Sequence, residues 1–206
     1  MIDQTTLTKS DRTRRAILES AYALFSLQGY AATSMRQIAE SAGLALGSIY
    51  NHFASKEEMF QAIIAERHPY LRIIPLLKNA QGETMAEFLR NAAGSLVAEL
   101  VQHPEFLNLM LIELVEFKGK HVPILFETVI PDVMLIAGKI EAFREDLRPI
   151  PLPLIMRAFL GMFFSYFITE LLLKDMMPPE MRENSLEMFV DIFLHGIEQT
   201  SEMPSL

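Results

Sequence analysis

Two matching helix-start signals stand close together near the N-terminus, and their spacing constrains the fold more than any other feature of the chain. Ser34 is followed three residues later by Gln37, and Ser55 is followed three residues later by Glu58. Both pairs have the spacing of a capping box, in which two side chains satisfy backbone N–H groups that the first turn of a helix leaves unpaired. The sequence therefore predicts one helix that begins at Met35 and another that begins near Lys56.

The residues between these two starts predict a tight turn followed by a second short helix. Gly43 follows a short run with helical periodicity, where a helix commonly ends in the left-handed conformation that glycine adopts at little cost. The run from Ala45 to Asn51 is then a short helix of its own. A short helix, a turn and a second short helix form a helix-turn-helix, whose second helix enters the major groove of DNA.

An amphipathic helix over Arg12–Gln28 completes a three-helix unit. Its apolar residues recur at helical spacing and are expected to pack against apolar residues of the helix-turn-helix. The stripe on the first helix consists of Ile17, Leu18, Ala21, Leu24 and Phe25, and its expected partners are Ile38, Ala39, Ile49 and Phe53. These are core positions, and we assign no chemistry to them.

Hydrogen-bond donors cluster on the helix-turn-helix and are suited to a polyanion. Hydroxyl groups, Arg, Lys and helix N-termini supply the phosphate contacts in protein–DNA complexes. The alternative for the ring residues Tyr50 and His52 is that they cover the edge of a small core. The candidate DNA-binding residues are Thr33, Ser34, Arg36, Ala45, Leu46, Gly47, Ser48, Tyr50, His52 and Lys56.

The segment from about Arg14 to Phe60 resembles the DNA-binding signature of the TetR family of one-component transcriptional regulators. It contains G-Y-x-x-T-S-M-R-Q-I-A-E-S-A-G-L-A-L-G-S-I-Y-N-H-F-A-S-K-E-E-M-F. The residues that match the family pattern are Gly29, Ile38, Ala39, Ala42, Gly43, Gly47, Tyr50, Phe53, Lys56 and Glu57. Ala45 departs from the pattern, because the family often has a Ser or Thr there that caps the recognition helix.

The charge distribution assigns different partners to the two parts of the chain. The whole chain has a formal net charge of −8, yet residues 1–56 carry six Lys or Arg against four Asp or Glu. Only this N-terminal part suits DNA, and its affinity must come from placed contacts rather than from bulk charge. Lys9, Arg12 and Arg14 lie where a mobile N-terminal arm over Met1–Ser10 reaches a minor groove, although a frayed, solvated terminus explains them equally well.

The absence of cysteine excludes disulfides and thiolate chemistry, and the N-terminus lacks the pattern of a signal peptide. We therefore expect a cytoplasmic protein. Beyond residue 56 the periodicity stays helical, which predicts an all-α protein with two domains. Residues 1–56 are expected to form the helix-turn-helix DNA-binding domain, and residues 57–206 a larger helical ligand-binding and dimerisation domain. The predicted helices beyond residue 56 are Lys56–His68, Thr84–Gln102, Glu105–Lys118, Pro123–Asp146, Pro153–Asp175 and Pro179–Thr200.

The helix predicted over Pro153–Asp175 is apolar around its whole circumference. The uncharged run between Arg157 and Glu170 is shorter than the roughly 20 residues that a bilayer requires, so we predict no membrane span. Covering by a second copy of the chain explains its composition, and core packing within one chain is the alternative. The resemblance agrees with the first, because the family usually dimerises through its last two long helices. The candidate interface residues are Gly161, Ser165, Leu186, Phe189, Phe193 and Ile197.

The resemblance also implies a cavity for a small effector in the C-terminal domain, whereas apolar stripes by themselves more often form plain core. The candidate ligand-binding residues are Met110, Phe126, Arg157, Tyr166, Thr169 and Glu170. Glu113 and Glu116 fall on the same helical face as Glu105 and Asn108, which predicts a solvated face rather than a cation site. The histidines lack the spacing of metal ligands, and we predict no metal and no cofactor.

The leading hypothesis is a dimeric repressor that binds a near-palindromic operator and is released by a small apolar or amphipathic effector. The sequence contains no recognisable nucleophile–base–acid set and no phosphate-binding loop, so we do not predict an enzyme. Two alternatives remain open at this point. One is a helical protein-interaction module, and the other is an enzyme, each with a vestigial helix-turn-helix.

Overall fold

The computed structural model of the chain describes residues 8–173 and 175–198, and the side chains of residues 180 and 181 are not described. Regular structure in these ranges is helical, which confirms the predicted all-α class, and a single isolated bridge joins Leu147 and Glu198. The helices are α1 (Lys9–Gln28), α2 (Met35–Ser41), α3 (Leu46–Tyr50), α4 (Lys56–Arg67), α5 (Tyr70–Asn79), α6 (Met85–Gln102), α7 (Glu105–Phe117), α8 (Pro123–Glu141), α9 (Leu152–Leu173), α10 (Pro179–Arg182) and α11 (Ser185–Ile197).

Helix α1 begins three residues earlier than the apolar periodicity predicts. Thr8 accepts the backbone N–H of Asp11, and the Asp11 carboxylate accepts the backbone N–H of Thr8, so the pair forms a capping box. Lys9 and Arg12 are consequently helical residues. The part of the predicted arm over residues 1–7 lies outside the described residues.

Helix α5 is absent from the prediction, because Pro69 and Pro75 argue against a helix in this part of the sequence. Pro69 directly precedes the helix, where a proline does no harm. Pro75 lies inside it and removes one backbone hydrogen bond. Burial of Ile73, Ile74 and Leu77 along one face offsets that loss.

The C-terminal helices of the structure are shorter than those that the sequence predicts. Helix α8 ends at Glu141 and is followed by a 3-10 turn over Arg144–Asp146. The single helix predicted from Pro179 is two helices, α10 and α11, separated at Asn184, which has a left-handed φ of 58°. The predicted end of that helix at Thr200 lies outside the described residues.

The chain divides into two compact units. Among the described residues, the first comprises 8–69 together with Glu105–Glu127, and the second comprises Tyr70–Pro104 together with 128–173 and 175–198. Helices α4 and α7 therefore belong to the same unit as the helix-turn-helix. This division differs from the boundary predicted after residue 56, and the assignment of separate functions to the two parts stays a prediction.

The core of the first unit is built as the apolar stripe predicts. Ile38, Ala39, Ile49 and Phe53 are buried with the stripe of α1, and Leu24 is partly buried. Helices α4 and α7 add aromatic rings, because Phe60 stacks on Phe117 with ring centroids 4.8 Å apart. The three helices at the N-terminus are thus packed onto two more helices within one unit.

The core of the second unit forms around α6. Helix α6 packs against α5, α9 and α11, and α9 also packs against α11. The buried stripe of α9 recurs every fourth residue and consists of Ile155, Phe159, Phe163 and Phe167. Because only this stripe is buried, the opposite side of α9 remains uncovered in the single chain.

His68, the residue that follows α4, is expected to make the stability of the folded chain sensitive to acid. Burial lowers the pKa of His68 from 6.5 to about 4, because a charged ring is poorly solvated there. Between these two pH values the unfolded chain binds more protons at this residue than the folded chain, so stability falls as the pH falls. The free energy of unfolding is expected to drop by up to about 3 kcal/mol from this residue between pH 6.5 and pH 4.

Chemical denaturation at a series of pH values measures this contribution in the wild type and in His68→Leu. The free energy of unfolding of the variant is expected to fall less than that of the wild type as the pH falls from 6.5 to 4. His195 is exposed on α11, and His195→Gln serves as the matched histidine control. Its free energy of unfolding is expected to fall with pH as steeply as that of the wild type. Identical acid profiles for wild type and His68→Leu would contradict the assignment.

Candidate nucleic-acid interface

The start and the end of α2 are fixed by the residues that the sequence singles out. The Ser34 hydroxyl accepts the backbone N–H of Gln37, and the Gln37 amide oxygen accepts the backbone N–H of Ser34 at 2.8 Å. Gly43 follows the helix with a φ of 68°, which is the predicted left-handed conformation. At α4, Ser55 accepts the N–H of Glu58 as predicted, but the Glu58 carboxylate accepts from Ala54 rather than from Ser55.

Helix α3 turns one residue inward and most of the others outward. Ile49 is buried in the core of the first unit, whereas Leu46, Gly47 and Tyr50 are exposed. A Cβ atom built on Gly47 meets no atom within 4 Å, so the fold itself does not require glycine there. Ser48 and His52 are half-buried at the margin of the exposed face. The surface of α3 is therefore a short, uncharged ridge with one large aromatic ring.

Ala45 is the N-cap of α3 and supplies no side-chain hydrogen bond. Its backbone is extended, with φ −68° and ψ 145°, which is the conformation that a capping serine adopts. The residue is exposed, so its methyl group contributes little to the core. The first N–H groups of α3 consequently receive no hydrogen-bond acceptor from this side chain.

Replacing Ala45 by serine is expected to raise the free energy of unfolding by about 1 kcal/mol, because the hydroxyl accepts an N–H group of the first turn. Thermal and urea unfolding of the two proteins measure the difference. Ala45→Val is the control, since valine adds bulk without a cap acceptor and is expected to give no gain. An equal gain from serine and valine would show that capping is not the cause.

Thr33 is buried, and its side chain is committed to the fold rather than to a partner. The hydroxyl donates to the carbonyl of Gly29 at 2.8 Å and accepts a hydrogen bond from the Gln28 side-chain amide at 3.2 Å. The side chain thus organises the loop between α1 and α2. Its hydroxyl is not presented to a phosphate in this arrangement, in contrast to what the residue type suggests.

Lys56 also has a structural role that the sequence does not reveal. Its ammonium donates to the carbonyls of Tyr30 at 2.6 Å and Thr33 at 2.7 Å, and it lies 4.1 Å from the centre of the Tyr30 ring. Burial lowers the pKa of Lys56 below its ordinary value. An ammonium has three donors, so one N–H remains for an outside acceptor. Lys56 ties the first turn of α4 to the loop before α2.

The arginines of this unit are partly neutralised by neighbouring acids. Arg36 is exposed on α2 and pairs with Glu40 at 3.0 Å. Arg14 pairs with Glu66 at 2.8 Å and lies over the ring of Phe53, so it joins α1 to α4. These pairs are solvent-accessible and weak, which leaves Arg36 able to exchange its carboxylate partner for a phosphate.

The six candidate ligand-binding residues are not gathered into one place within a unit. Met110 and Phe126 belong to the first unit, and Phe126 is exposed. Arg157, Tyr166, Thr169 and Glu170 all lie on α9 in the second unit. Arg157 and Thr169 are exposed, whereas Glu170 is half-buried. The Tyr166 hydroxyl is 2.9 Å from the Ser185 hydroxyl, which joins α9 to α11.

The candidate dimer residues divide into exposed and buried groups. Gly161 and Ser165 are exposed on α9, opposite its buried stripe. Leu186 and Phe189 are half-buried, whereas Phe193 and Ile197 are buried within the second unit. Met188 and Ile192 are exposed apolar side chains of α11 that the apolar stripe of the sequence does not include.

Helix α9 has the length and composition of a membrane span, with a mean hydropathy of 1.5 over its most apolar window. Only 22% of that window is buried in the chain. A single such helix is weak support for a membrane protein, because core and interface helices have the same composition.

The prediction that Glu113 belongs to a solvated face is wrong. Glu113 is buried on α7, where its carboxylate accepts hydrogen bonds from the backbone and ring of His121. Glu116, by contrast, is exposed as predicted. Among the described residues no group of three or more His, Asp or Glu side chains has the geometry of a metal site.

The N-terminal segment of the chain is similar to known regulatory proteins. Residues 17–63 match the sequence profile of the family described as bacterial regulatory proteins, tetR family. The HTH-type transcriptional repressor KstR2 of Mycobacterium tuberculosis (strain ATCC 25618 / H37Rv) is 49% identical over 51 residues, which are 25% of this chain and 26% of that protein. The chain thus aligns with only about a quarter of the length of this relative.

Solved structures extend the likeness to the whole fold. A TetR family transcription regulator from Marinobacter aquaeolei VT8 superposes with a TM-score of 0.65 at 17% identity, covering 92% of this chain and 97% of that one. NalD from Pseudomonas aeruginosa, the secondary repressor of the MexAB-OprM multidrug efflux pump, gives a TM-score of 0.65 at 20% identity, covering 92% and 98%. Residues 17–63 thus match the profile of the tetR family of bacterial regulatory proteins, and the helical fold around them is similar to that of solved TetR family regulators.

Proposed function

We propose that the chain is a dimeric transcriptional repressor of the cytoplasm, which binds a near-palindromic operator and releases it when a small apolar or amphipathic effector binds. The observation that carries this proposal is α3, whose Leu46, Gly47 and Tyr50 face solvent while Ile49 anchors the helix to a well-packed core. A helix held in this way is suited to entering a major groove without rearrangement of the unit.

The neighbourhood of α3 supports contacts to the DNA backbone. The first turn of α3 carries N–H groups without a side-chain cap, and such groups can donate hydrogen bonds to phosphate oxygens. Arg36 and the remaining N–H of Lys56 supply positive charge on the same unit. Because phosphate contacts set affinity and base contacts set sequence preference, Tyr50 and Lys56 are assigned to the first role and Leu46 and Ser48 to the second.

The exposed side of α9 supports dimerisation. Gly161 and Ser165 allow a close approach of two helices, and the exposed Ile192 and Met188 of α11 add apolar surface. Contiguous exposed apolar surface on a soluble chain indicates an interaction site. A two-fold pair of chains then presents two copies of α3, which read half-sites about 34–36 Å apart.

The effector is proposed to be apolar or amphipathic because the second unit is rich in Phe, Leu and Met, and methionine-rich surfaces accommodate varied shapes. NalD, whose fold is similar, is the secondary repressor of a multidrug efflux pump. Binding of an effector releases DNA only if it favours a conformation in which the two copies of α3 no longer match the half-sites.

Selection of bound duplexes from a random-sequence DNA pool tests the proposed function. The purified chain is expected to enrich a near-palindrome whose half-sites are separated by about one helical turn. Enrichment of an asymmetric single site would contradict the dimer, and failure to enrich any sequence would contradict the proposed function as a whole.

A further inference from the structure

A single charged side chain interrupts the exposed side of α9. Arg157 is the only charged residue between Leu152 and Thr169. It is two residues out of phase with the buried stripe of α9, so it lies on the opposite, exposed side together with Gly161 and Ser165. No ion pair or hydrogen bond joins its guanidinium to any residue in 8–173 or 175–198. Its charge is therefore left for an acceptor outside the chain.

The exposed side of α11 carries a carboxylate between apolar side chains. Met188, Asp191, Ile192 and His195 recur at helical spacing and are all exposed, opposite the buried stripe of this helix. The ring nitrogen Nδ1 of His195 lies 3.5 Å from the Asp191 carboxylate and closer, at 2.9 Å, to the Asp191 backbone carbonyl. The side chain of Asp191 is 70% exposed, so its carboxylate is accessible to a cation from another chain.

Aromatic contacts show how α9 and α11 are aligned along their length. The ring of Phe193 contacts the rings of Phe159 and Phe163, at centroid distances of 5.7 and 6.3 Å. Four residues earlier on α11, the ring of Phe189 contacts that of Tyr166 at 5.0 Å. The two helices therefore run antiparallel, and Phe193 is level with the middle of the segment 159–163.

This alignment gives the heights of the two charges. Gly161 is the middle of the segment 159–163, so it is level with Phe193. With a rise of 1.5 Å per residue, Arg157 lies about 6 Å from the level of Gly161 in one direction along α9. Asp191 lies between Phe189 and Phe193, which places it about 4 Å from that level in the other direction. The two charges of one chain thus lie on either side of Gly161.

Gly161 marks the level at which a second copy of the chain can approach most closely. A Cβ atom built on Gly161 meets no atom within 4 Å, so no contact among the described residues requires glycine, although glycine weakens a helix interior. A two-fold axis that crosses α9 at this level exchanges the two directions along the helix. It brings Arg157 of one protomer to within about 2 Å of the height of the partner's Asp191.

We propose that Arg157 of one protomer forms an ion pair with the partner's Asp191, and that this pair selects a second copy of the chain as the dimer partner. The two-fold relation gives two identical pairs in each dimer. Opposite charges at an interface fix its register and exclude partners that present a like charge. The proposal rests on the proposed dimer and names the contacts that decide which chain completes it.

Charge reversal at each position tests the pair. Arg157→Glu brings two carboxylates together at each contact of the homodimer, and Asp191→Arg brings two guanidinium groups together. Each variant alone is expected to raise the dissociation constant of the dimer at least about 100-fold, because like charges at an interface are strongly unfavourable. Sedimentation velocity at a series of protein concentrations measures this constant.

Mixing the two variants separates a contact between protomers from a change within one chain. In the heterodimer of Arg157→Glu with Asp191→Arg, both contacts join opposite charges, and its dissociation constant is expected to return to near the wild-type value. Native mass spectrometry distinguishes this heterodimer from the homodimers by mass. Glu141→Arg is the matched control, because Glu141 is exposed on α8 and undergoes the same charge change as Asp191→Arg. It is expected to dimerise like the wild type.

Neutral substitutions provide a second test if a reversal variant does not fold, which circular dichroism detects. Arg157→Gln and Asp191→Asn each break both pairs, so the double variant is expected to dimerise no more weakly than either single variant.

Three results would overturn the proposal while leaving dimerisation intact: reversal variants that dimerise like the wild type, reversal variants that do not combine with each other, or additive effects of the neutral substitutions. A monomeric wild type would instead overturn the pair and the proposed dimer together. No DNA is present in these measurements, so their outcome is independent of operator binding.

Discussion

Replacing Tyr50 by alanine is expected to weaken binding to every duplex at least about tenfold, because a hydrogen bond to a charged phosphate is worth about 1.5–3 kcal/mol. Tyr50 is half-exposed on α3 and its ring is not part of the buried core, so the free energy of unfolding should change by less than about 0.5 kcal/mol. Anisotropy titrations with the enriched duplex and with a scrambled duplex measure the loss.

Leu27→Ala is the matched control for Tyr50→Ala. Leu27 is 83% exposed near the end of α1, outside the helix-turn-helix, and its removal is expected to leave the affinity unchanged. Leu46→Ala should behave differently from both, by changing the ratio between enriched and scrambled duplex rather than both affinities together. An unchanged affinity of Tyr50→Ala for both duplexes would remove Tyr50 from the interface.

Placing a glutamate on the exposed side of α9 or α11 is expected to produce a monomer and to lower DNA affinity at least about 100-fold. An unpaired carboxylate at a packed interface costs several kcal/mol, and a monomer presents only one copy of α3. Gly161→Glu and Ile192→Glu are suitable changes, since a Cβ at Gly161 meets no atom within 4 Å and Ile192 is exposed. Light scattering and anisotropy measure mass and affinity in the same samples.

The control for these variants is Met134→Glu, because Met134 is an exposed apolar residue on α8 rather than on α9 or α11. It is expected to stay a dimer with wild-type affinity. A dimeric Ile192→Glu together with a monomeric Met134→Glu would place the interface on α8. Monomeric wild-type protein that binds DNA tightly would contradict dimerisation altogether.

The parts of the fold that depend on local chemistry follow from the sequence. The capping box at Ser34, the left-handed Gly43 and the buried Ile38 and Ile49 are all where the pattern predicts them. Each of these features depends on residues that are close together in the chain. Local propensity and helical periodicity are therefore sufficient to locate the helix-turn-helix and its core.

The features that depend on distant contacts could not be predicted in this way. Helix α5 forms despite Pro75 because tertiary burial offsets a lost hydrogen bond. Lys56 is bound by carbonyls more than 20 residues away, so its residue type reveals only half of its role. Glu113 is buried because His121 returns to it through a turn with left-handed Lys118 and Gly119, and helical-wheel reasoning does not detect such a return.

The candidate interface residues of α11 illustrate the same limit at a larger scale. Phe193 and Ile197 share an apolar stripe with Leu186 and Phe189, and periodicity alone treats the four as one surface. The helical structure is interrupted at Asn184, and Phe193 and Ile197 of α11 are buried within the second unit. The packing of α6, α9 and α11, and not the stripe itself, thus decides which apolar residues of α11 are buried.

The central claim is that α3 of this chain reads duplex DNA, and the salt dependence of its affinity for the enriched duplex tests that claim most directly. The logarithm of the association constant is expected to fall linearly with the logarithm of salt concentration, with a slope of about −0.9 for each phosphate contacted. The enriched duplex should also bind at least about 1,000-fold more tightly than a scrambled one. Equal affinity for the two duplexes, or an affinity that does not change with salt, would contradict the claim.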